Sequence, residues 1–150
     1  MKNQVIIQNE AKCKKCGDII WSGHRHDFKS CSCGAISVDG GMSYIRRVGD
    51  LESIEERSLS TDKTQLMDCV AVVEMMRADN LSNMNIYLAV DVIYGIDELD
   101  FFKNRQKVGV GLKAVKWGIE ERKNSLGIVL AVIRALRDSD YLDMSKFNQE

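Results

Sequence analysis

Four of the five cysteines in this chain fall between positions 13 and 33, in two close pairs: Cys13-Lys14-Lys15-Cys16 and Cys31-Ser32-Cys33. Each pair is followed at once by a glycine, Gly17 or Gly34. Cysteines this close in sequence present both sulfurs from one tight turn, and two such turns enclose one tetrahedral ion. A glycine just after the pair suits the positive φ that such a turn requires. Zn²⁺ is the expected ion, held by Cys13, Cys16, Cys31 and Cys33. The second pair is tighter than usual, so a ligand set of three cysteines with His24 or His26 stays open, as does iron–sulfur binding. Four protein ligands leave no coordination position for a substrate, which makes the expected metal structural rather than catalytic.

The reading as a metal site depends on compartment. The apolar stretch at Val5-Ile6-Ile7 is too short for a signal peptide, and no run of about 18 apolar residues suggests a membrane span. A reducing cytoplasm is therefore expected, where close cysteine pairs mean metal more often than disulfide. A thioredoxin-like redox pair would need a neighbouring βαβ unit, and none is legible.

The 150 residues carry a net charge of −1, divided unevenly. Residues 1–50 hold eight Lys/Arg against five Asp/Glu, and residues 51–150 hold thirteen against seventeen. This argues against a protein that coats DNA, and leaves room for a local nucleic-acid contact by the N-terminal part.

The expected fold class is α+β: a small zinc-ribbon-like β module over 1–50, a connector over 51–60, and an all-α bundle of four to five helices over 61–150. Short strands are expected at Val5–Ile7 and Asp18–Ser22. A hairpin is expected from Ile36–Val38 and Met42–Val48 around Asp39-Gly40-Gly41. From Thr61 the period becomes helical, with Leu66, Cys69, Val70, Val73 and Met76 forming one stripe and Ser60 or Thr61 as cap. A second helix over 82–94 is apolar almost all round and reads as central. Asp97 is expected to cap a short helix over 98–105. A further helix over 106–123 should turn Leu112, Val115 and Ile119 inward, and the strongest helix spans 125–138. Residues 143–150 read as a frayed tail.

Beyond the cysteines, His24-Arg25-His26-Asp27 reads first as a polar loop tip with Asp27 capping a turn, and second as a general-base pair or phosphate contact. Asp39, Tyr44, Arg46 and Arg47 read as a hairpin with solvated arginines, or as an anion surface beside the metal. Alternation sends Arg46 and Arg47 in opposite directions. The run Val108-Gly109-Val110-Gly111-Leu112-Lys113 lacks the strand, third glycine and Gly-Lys-Ser/Thr ending of a phosphate loop, and reads as a place where helices approach closely. Cys69 reads as a small buried apolar residue.

The string Cys13-Lys-Lys-Cys16-Gly17-Asp18-Ile-Ile, with His26-Asp27-Phe28, Cys33-Gly34-Ala-Ile-Ser-Val38-Asp39-Gly40-Gly41, Tyr44 and Arg46-Arg47, resembles a family of small zinc-ribbon-like proteins of bacteriophages and prophages. The resemblance covers residues 11–50. It implies a phage origin and no particular activity. The expected function is a non-enzymatic zinc-binding protein whose partner is a host or phage macromolecule, acting in the host cytoplasm, with inhibition or regulation of a host defence as a suitable role. The alternatives are a nucleic-acid-binding zinc ribbon, and an enzyme or small-ligand binder using His26 and Asp39. A homo-oligomer formed through the helical stripes is also compatible with the sequence.

Overall fold

A computed structural model describes residues 3–148. The fold is α+β: antiparallel strands carrying the cysteines, then four α-helices among the described residues. The chain divides into two compact units, Met1–Lys63 with Phe147–Glu150, and Thr64–Lys146.

In the first unit, β1 (Gln4–Cys13) is the common member of the larger sheet. Its C-terminal half pairs antiparallel with β2 (Ile19–Ser22) on one side and with β6 (Ile54–Glu56) on the other. Its N-terminal half pairs with β7 (Leu59–Asp62), across a register shift between Ile6 and Gln8. A smaller sheet is formed by β3 (Lys29–Ser30), β4 (Ile36–Asp39) and β5 (Arg46–Gly49) in that order. The hairpin expected around Asp39-Gly40-Gly41 is present, with Gly40 and Gly41 at φ of 111° and 54°, although Met42–Ile45 belong to the turn.

The period-2 geometry of β1 places Ala11 and Cys13 on one face. They form the core with Cys31, Ile36 and Val38, and Ile20 and Ile54 pack against it. Two expectations change here. The first strand is ten residues rather than three, because the polar run Gln8-Asn9-Glu10 is buried and hydrogen-bonded instead of solvated. The connector expected over 51–60 is a 3-10 turn at Leu51–Ser53 followed by β6 and the start of β7. It is built into the sheet because both edges of β1 need hydrogen-bond partners.

In the second unit, α1 (Lys63–Ala78) buries Leu66, Cys69 and Val73 as the period predicts. Ser60 and Thr61 do not cap it; they lie in β7, which leads straight into the helix. Asn80, at φ 55°, lies just beyond its end. The second helix, α2 (Asn83–Tyr94), is capped by Ser82 and ends at Gly95. It is less central than expected: it buries Ile86, Tyr87, Val90 and Tyr94, while Leu88 and Val92 are exposed.

The two helices expected over 98–105 and 106–123 are a single one, α3 (Phe101–Glu120), capped by Asp100 rather than Asp97. The chain has no proline, and two glycines alone do not break a helix. The inward face of α3 is also different. Gly111, Ala114, Val115 and Gly118 are buried, whereas Ile119 is exposed. A Cβ on Gly111 would overlap the Tyr87 ring, and one on Gly118 would lie 2.8 Å from Ile128 Cγ1. The glycines therefore let α2 and α4 (Ser125–Asp138) come close to α3.

The fourth helix buries Ile128, Val129, Ile133 and Leu136, each contributing roughly 1.5–3 kcal/mol by burial. Between α2 and α3, the buried Lys107 Nζ lies 3.0 Å from Asp91 Oδ1 and donates to Ile96 O at 2.7 Å. The expected frayed tail forms a 3-10 turn at Met144–Lys146 and buries Phe147. Residues 149 and 150 lie outside the described region. No helix among the described residues is long and apolar enough to cross a membrane.

Candidate metal centre

The cysteine site is made of two matching backbone turns. In the first, Cys13 N–H donates to Asp18 O at 2.8 Å; in the second, Cys31 N–H donates to Ile36 O at 3.1 Å. Both turns thus close over five residues, although the second cysteine comes three residues into one and two into the other. Gly17 and Gly34 take up φ of 79° and 76°, which a side chain would strain. Asp18 joins the turns: its Oδ2 accepts from Ser32 N–H at 2.7 Å. Lys14 N–H donates to Ser53 O at 2.8 Å, which ties the first turn to the chain entering β6.

The four sulfurs of Cys13, Cys16, Cys31 and Cys33 all lie within 4.8 Å of one another. Cys33 Sγ is 3.7 Å from Cys13 Sγ and 3.6 Å from Cys31 Sγ. These are not disulfides. A tetrahedron with metal–sulfur arms of about 2.3 Å has edges of about 3.8 Å, so the spacing fits one thiolate-bound ion. A cluster of several irons and bridging sulfides needs more room between the thiolates than this arrangement has. The four cysteines can therefore hold a metal ion. His24 and His26 are not part of the cluster. Cys13 and Cys31 are buried and Cys33 is exposed, so the site sits at the rim of the core.

The thiols are electrostatically uneven. The backbone N–H groups of Asp18 and Cys33 hold the Cys16 thiol at about 6. The Ile36 N–H, 3.5 Å from Cys31 Sγ, lowers that thiol too. Ala35 N–H also pulls Cys33 down, but partial desolvation and the neighbouring thiols of Cys31, Cys16 and Cys13 together push it up to about 12. Successive negative charges at this spacing oppose each other, and a cation among them removes the conflict.

The other candidate residues form a separate polar assembly. Asp27 caps its turn by accepting from Gly23 N–H at 2.8 Å, the bland role expected of it. The loop over 23–28 rests on the β4–β5 turn: Gly41 N–H donates to Ser22 Oγ at 2.9 Å, and a Cβ on Gly41 would overlap the His24 backbone. His26 Nδ1 and Tyr44 Oη are 3.1 Å apart, a pairing absent from the sequence reading. Arg25 is exposed. Arg46 is exposed and reaches Asp39 Oδ2 at 3.4 Å. Asp39 itself is buried, so it and His26 share no open surface.

Arg47 turns inward, opposite to Arg46 as the alternation requires. Its side chain is 10% exposed. It binds Glu56 with Nε and Nη2 at 2.8 and 2.7 Å, Ser58 Oγ at 2.9 Å and Asn9 Oδ1 at 2.8 Å. Those bonds leave no guanidinium face for a phosphate, which removes Arg47 from the candidate binding surface. Asn9, Ser58 and Glu56 were not singled out by sequence. Each is an ordinary polar residue whose role depends on distant partners.

Residues 5–49 match the model of a family described as a domain of unknown function, DUF7695. The match covers both cysteine turns and the β4–β5 hairpin, and none of the helices. No curated protein and no solved structure matches the chain.

Proposed function

We propose that this is a non-enzymatic zinc-binding interaction protein, in which Cys13, Cys16, Cys31 and Cys33 hold one structural Zn²⁺. The observation that carries this reading is the mutual approach of the four sulfurs to within 4.8 Å, which fills a tetrahedral shell with protein ligands. Bound there, the ion supplies folding energy, about 10–16 kcal/mol in comparable zinc peptides, to a small β module with a modest core. The four thiols belong in a reducing compartment such as the cytoplasm. The resemblance over residues 11–50 supports a phage-encoded protein whose partner is a host or phage macromolecule. Elemental analysis of protein purified without added chelator tests the metal. About one zinc per chain is expected, and near zero for Cys13→Ser. A fully folded, metal-free wild type would overturn the reading.

One observation favours nucleic acid as the partner. Trp21 is about half exposed, with the Lys29 ammonium 4.5 Å from its ring centroid, a pairing suited to stacking a base beside a phosphate. Lys12, Lys14, Lys15, Arg25 and Arg46 are the remaining basic residues for such a surface. Titration of labelled single-stranded DNA and RNA at two salt concentrations decides between the partners. Affinity falling steeply with salt supports nucleic acid, and no binding at low salt leaves a protein partner.

A further inference from the structure

The four cysteines are not equally open to solvent. Cys13 and Cys31 are buried, at 0% and 5% exposure, Cys16 is half-buried, and Cys33 is exposed. Cys33 Sγ lies 3.7 Å from Cys13 Sγ in the other turn and 3.6 Å from Cys31 Sγ in its own. The sulfurs also differ in how the backbone holds them. Cys16 accepts the N–H groups of Asp18 and Cys33, whereas Cys33 accepts that of Ala35. Each such bond draws on the lone pairs a nucleophile uses. Cys33 is therefore the sulfur that a small reactant in solvent reaches first, and it already has a second sulfur in the facing turn beside it.

We propose that Cys33 is a site of oxidation by hydrogen peroxide and Cys13 the thiol that resolves it, so that the metal centre doubles as a reversible redox switch. The proposal rests on the reading of the four cysteines as a zinc site. The Cys33 thiolate attacks one peroxide oxygen, the O–O bond breaks, and hydroxide leaves a sulfenic acid on Cys33. The Cys13 thiolate then attacks the Cys33 sulfur; the S–S bond forms, the S–O bond breaks and a second hydroxide leaves. Two electrons pass from the two sulfurs to the peroxide, and two protons from solvent turn the hydroxides into water.

Cys31 is as near to Cys33 as Cys13 is, but a disulfide between them would close over the single residue Ser32, a strained ring that is easily reduced again. The Cys13–Cys33 bond joins residues 20 positions apart and crosses from one turn to the other. It leaves Cys16 and Cys31 as two ligands where a closed zinc site needs four, so the ion is released. Bonding also draws the two sulfurs from 3.7 Å to about 2 Å. Cys13 is the last residue of β1, the strand on which the larger sheet is built, so the change at sulfur reaches the fold of the module.

The test uses the wild-type full chain, since a cysteine variant that loses the ion also loses its fold. Zinc is measured first, then hydrogen peroxide is added stepwise with a chromophoric chelator present. Unreduced peptides are mapped by mass spectrometry, and a parallel sample carries dimedone to trap the sulfenic acid. Release of zinc in step with a Cys13–Cys33 disulfide is expected, with dimedone on Cys33 and recovery of bound zinc after dithiothreitol and zinc are added. A chain that holds no zinc before peroxide would overturn the zinc reading, and this proposal with it. Zinc retained under excess peroxide, dimedone on Cys16 or a Cys31–Cys33 disulfide in place of Cys13–Cys33 would overturn this proposal and leave the zinc reading intact. Failure of dithiothreitol to restore the ion would do the same, because the oxidation would then be damage and not a switch.

Discussion

Arg47 donates through Nη1 to Asn9 Oδ1 at 2.8 Å, and Asn9 Nδ2 lies within hydrogen-bond distance of the carbonyls of Asp39, Gly41 and Tyr44 at 2.9–3.0 Å. One buried amide thereby holds the β4–β5 turn against β1, and one arginine fixes the orientation of that amide. The first metal turn begins four residues further along the same strand, where β1 ends at Cys13.

Removing either partner should destabilise the β module. Asn9→Ala leaves buried carbonyls without the amide that binds them, and Arg47→Ala takes the guanidinium from Asn9 Oδ1 and from the Glu56 carboxylate. Each should cost about 1–3 kcal/mol, and the double variant less than the sum. Arg47→Lys should not rescue, because an ammonium cannot reproduce the two-pronged contact with Glu56. Denaturant titration followed by Trp21 fluorescence in a Trp117→Phe background measures this, with additive costs counting against the coupling.

Loss of metal should dissolve the strands and spare the helices. Cys13 is the last residue of β1 and pairs with Ile54 of β6, so Cys13→Ser is expected to free the amides of residues 4–62 to exchange, beyond the cysteine turns themselves. Hydrogen exchange resolved by segment checks this. Collapse of ellipticity at 222 nm together with the strands would mean that the two units fold as one.

Asp18 should govern how tightly the ion is kept. The Ser32 side chain, and then the Ser32 N–H that its carboxylate accepts at 2.7 Å, lower its pKa below the usual carboxylate value. A group depressed in the folded state stabilises fully above its unfolded pKa, and the contribution is lost as pH falls through the depressed value. Asp18→Ala should weaken zinc binding by about 10–100-fold at neutral pH, the usual effect of losing a residue that orients a ligand. The gap to wild type should narrow as pH falls below the carboxylate range. Competition with a chromophoric chelator across pH reads both, and equal affinity at neutral pH would sink the idea.

The two glycines of α3 should respond in opposite directions. Gly109→Ala meets empty space and should stabilise by up to about 1 kcal/mol through helix propensity. Gly111→Ala drives a methyl into the Tyr87 ring and should destabilise by about 1–3 kcal/mol despite the same propensity gain. Thermal melts followed at 222 nm separate the two, and parallel shifts would show that the close approach of α2 and α3 is not tight.

Much of the architecture is local chemistry and can be read without coordinates. Paired cysteines with a glycine behind them, the Asp39-Gly40-Gly41 hairpin, the end of the second helix at residue 94 and the apolar stripe of α4 all depend on residues close in sequence. Spacing alone sufficed for them, because turn strain, capping bonds and helical period act over a few residues.

What only the tertiary structure decided are the places where polar groups are buried or side chains are missing. Asn9 and Glu10 look like solvated residues that should end a strand. They continue it because their partners lie 30 to 47 positions away, at Asp39, Gly41, Tyr44, Arg47 and Arg57. Segment 51–60 looks like a linker until both edges of β1 need pairing. Gly111 and Gly118 mark the inward face of α3 by having nothing on them, which no hydrophobic period reports. A buried polar group or a bare backbone takes its value from whatever meets it in space, and that meeting is the fold itself.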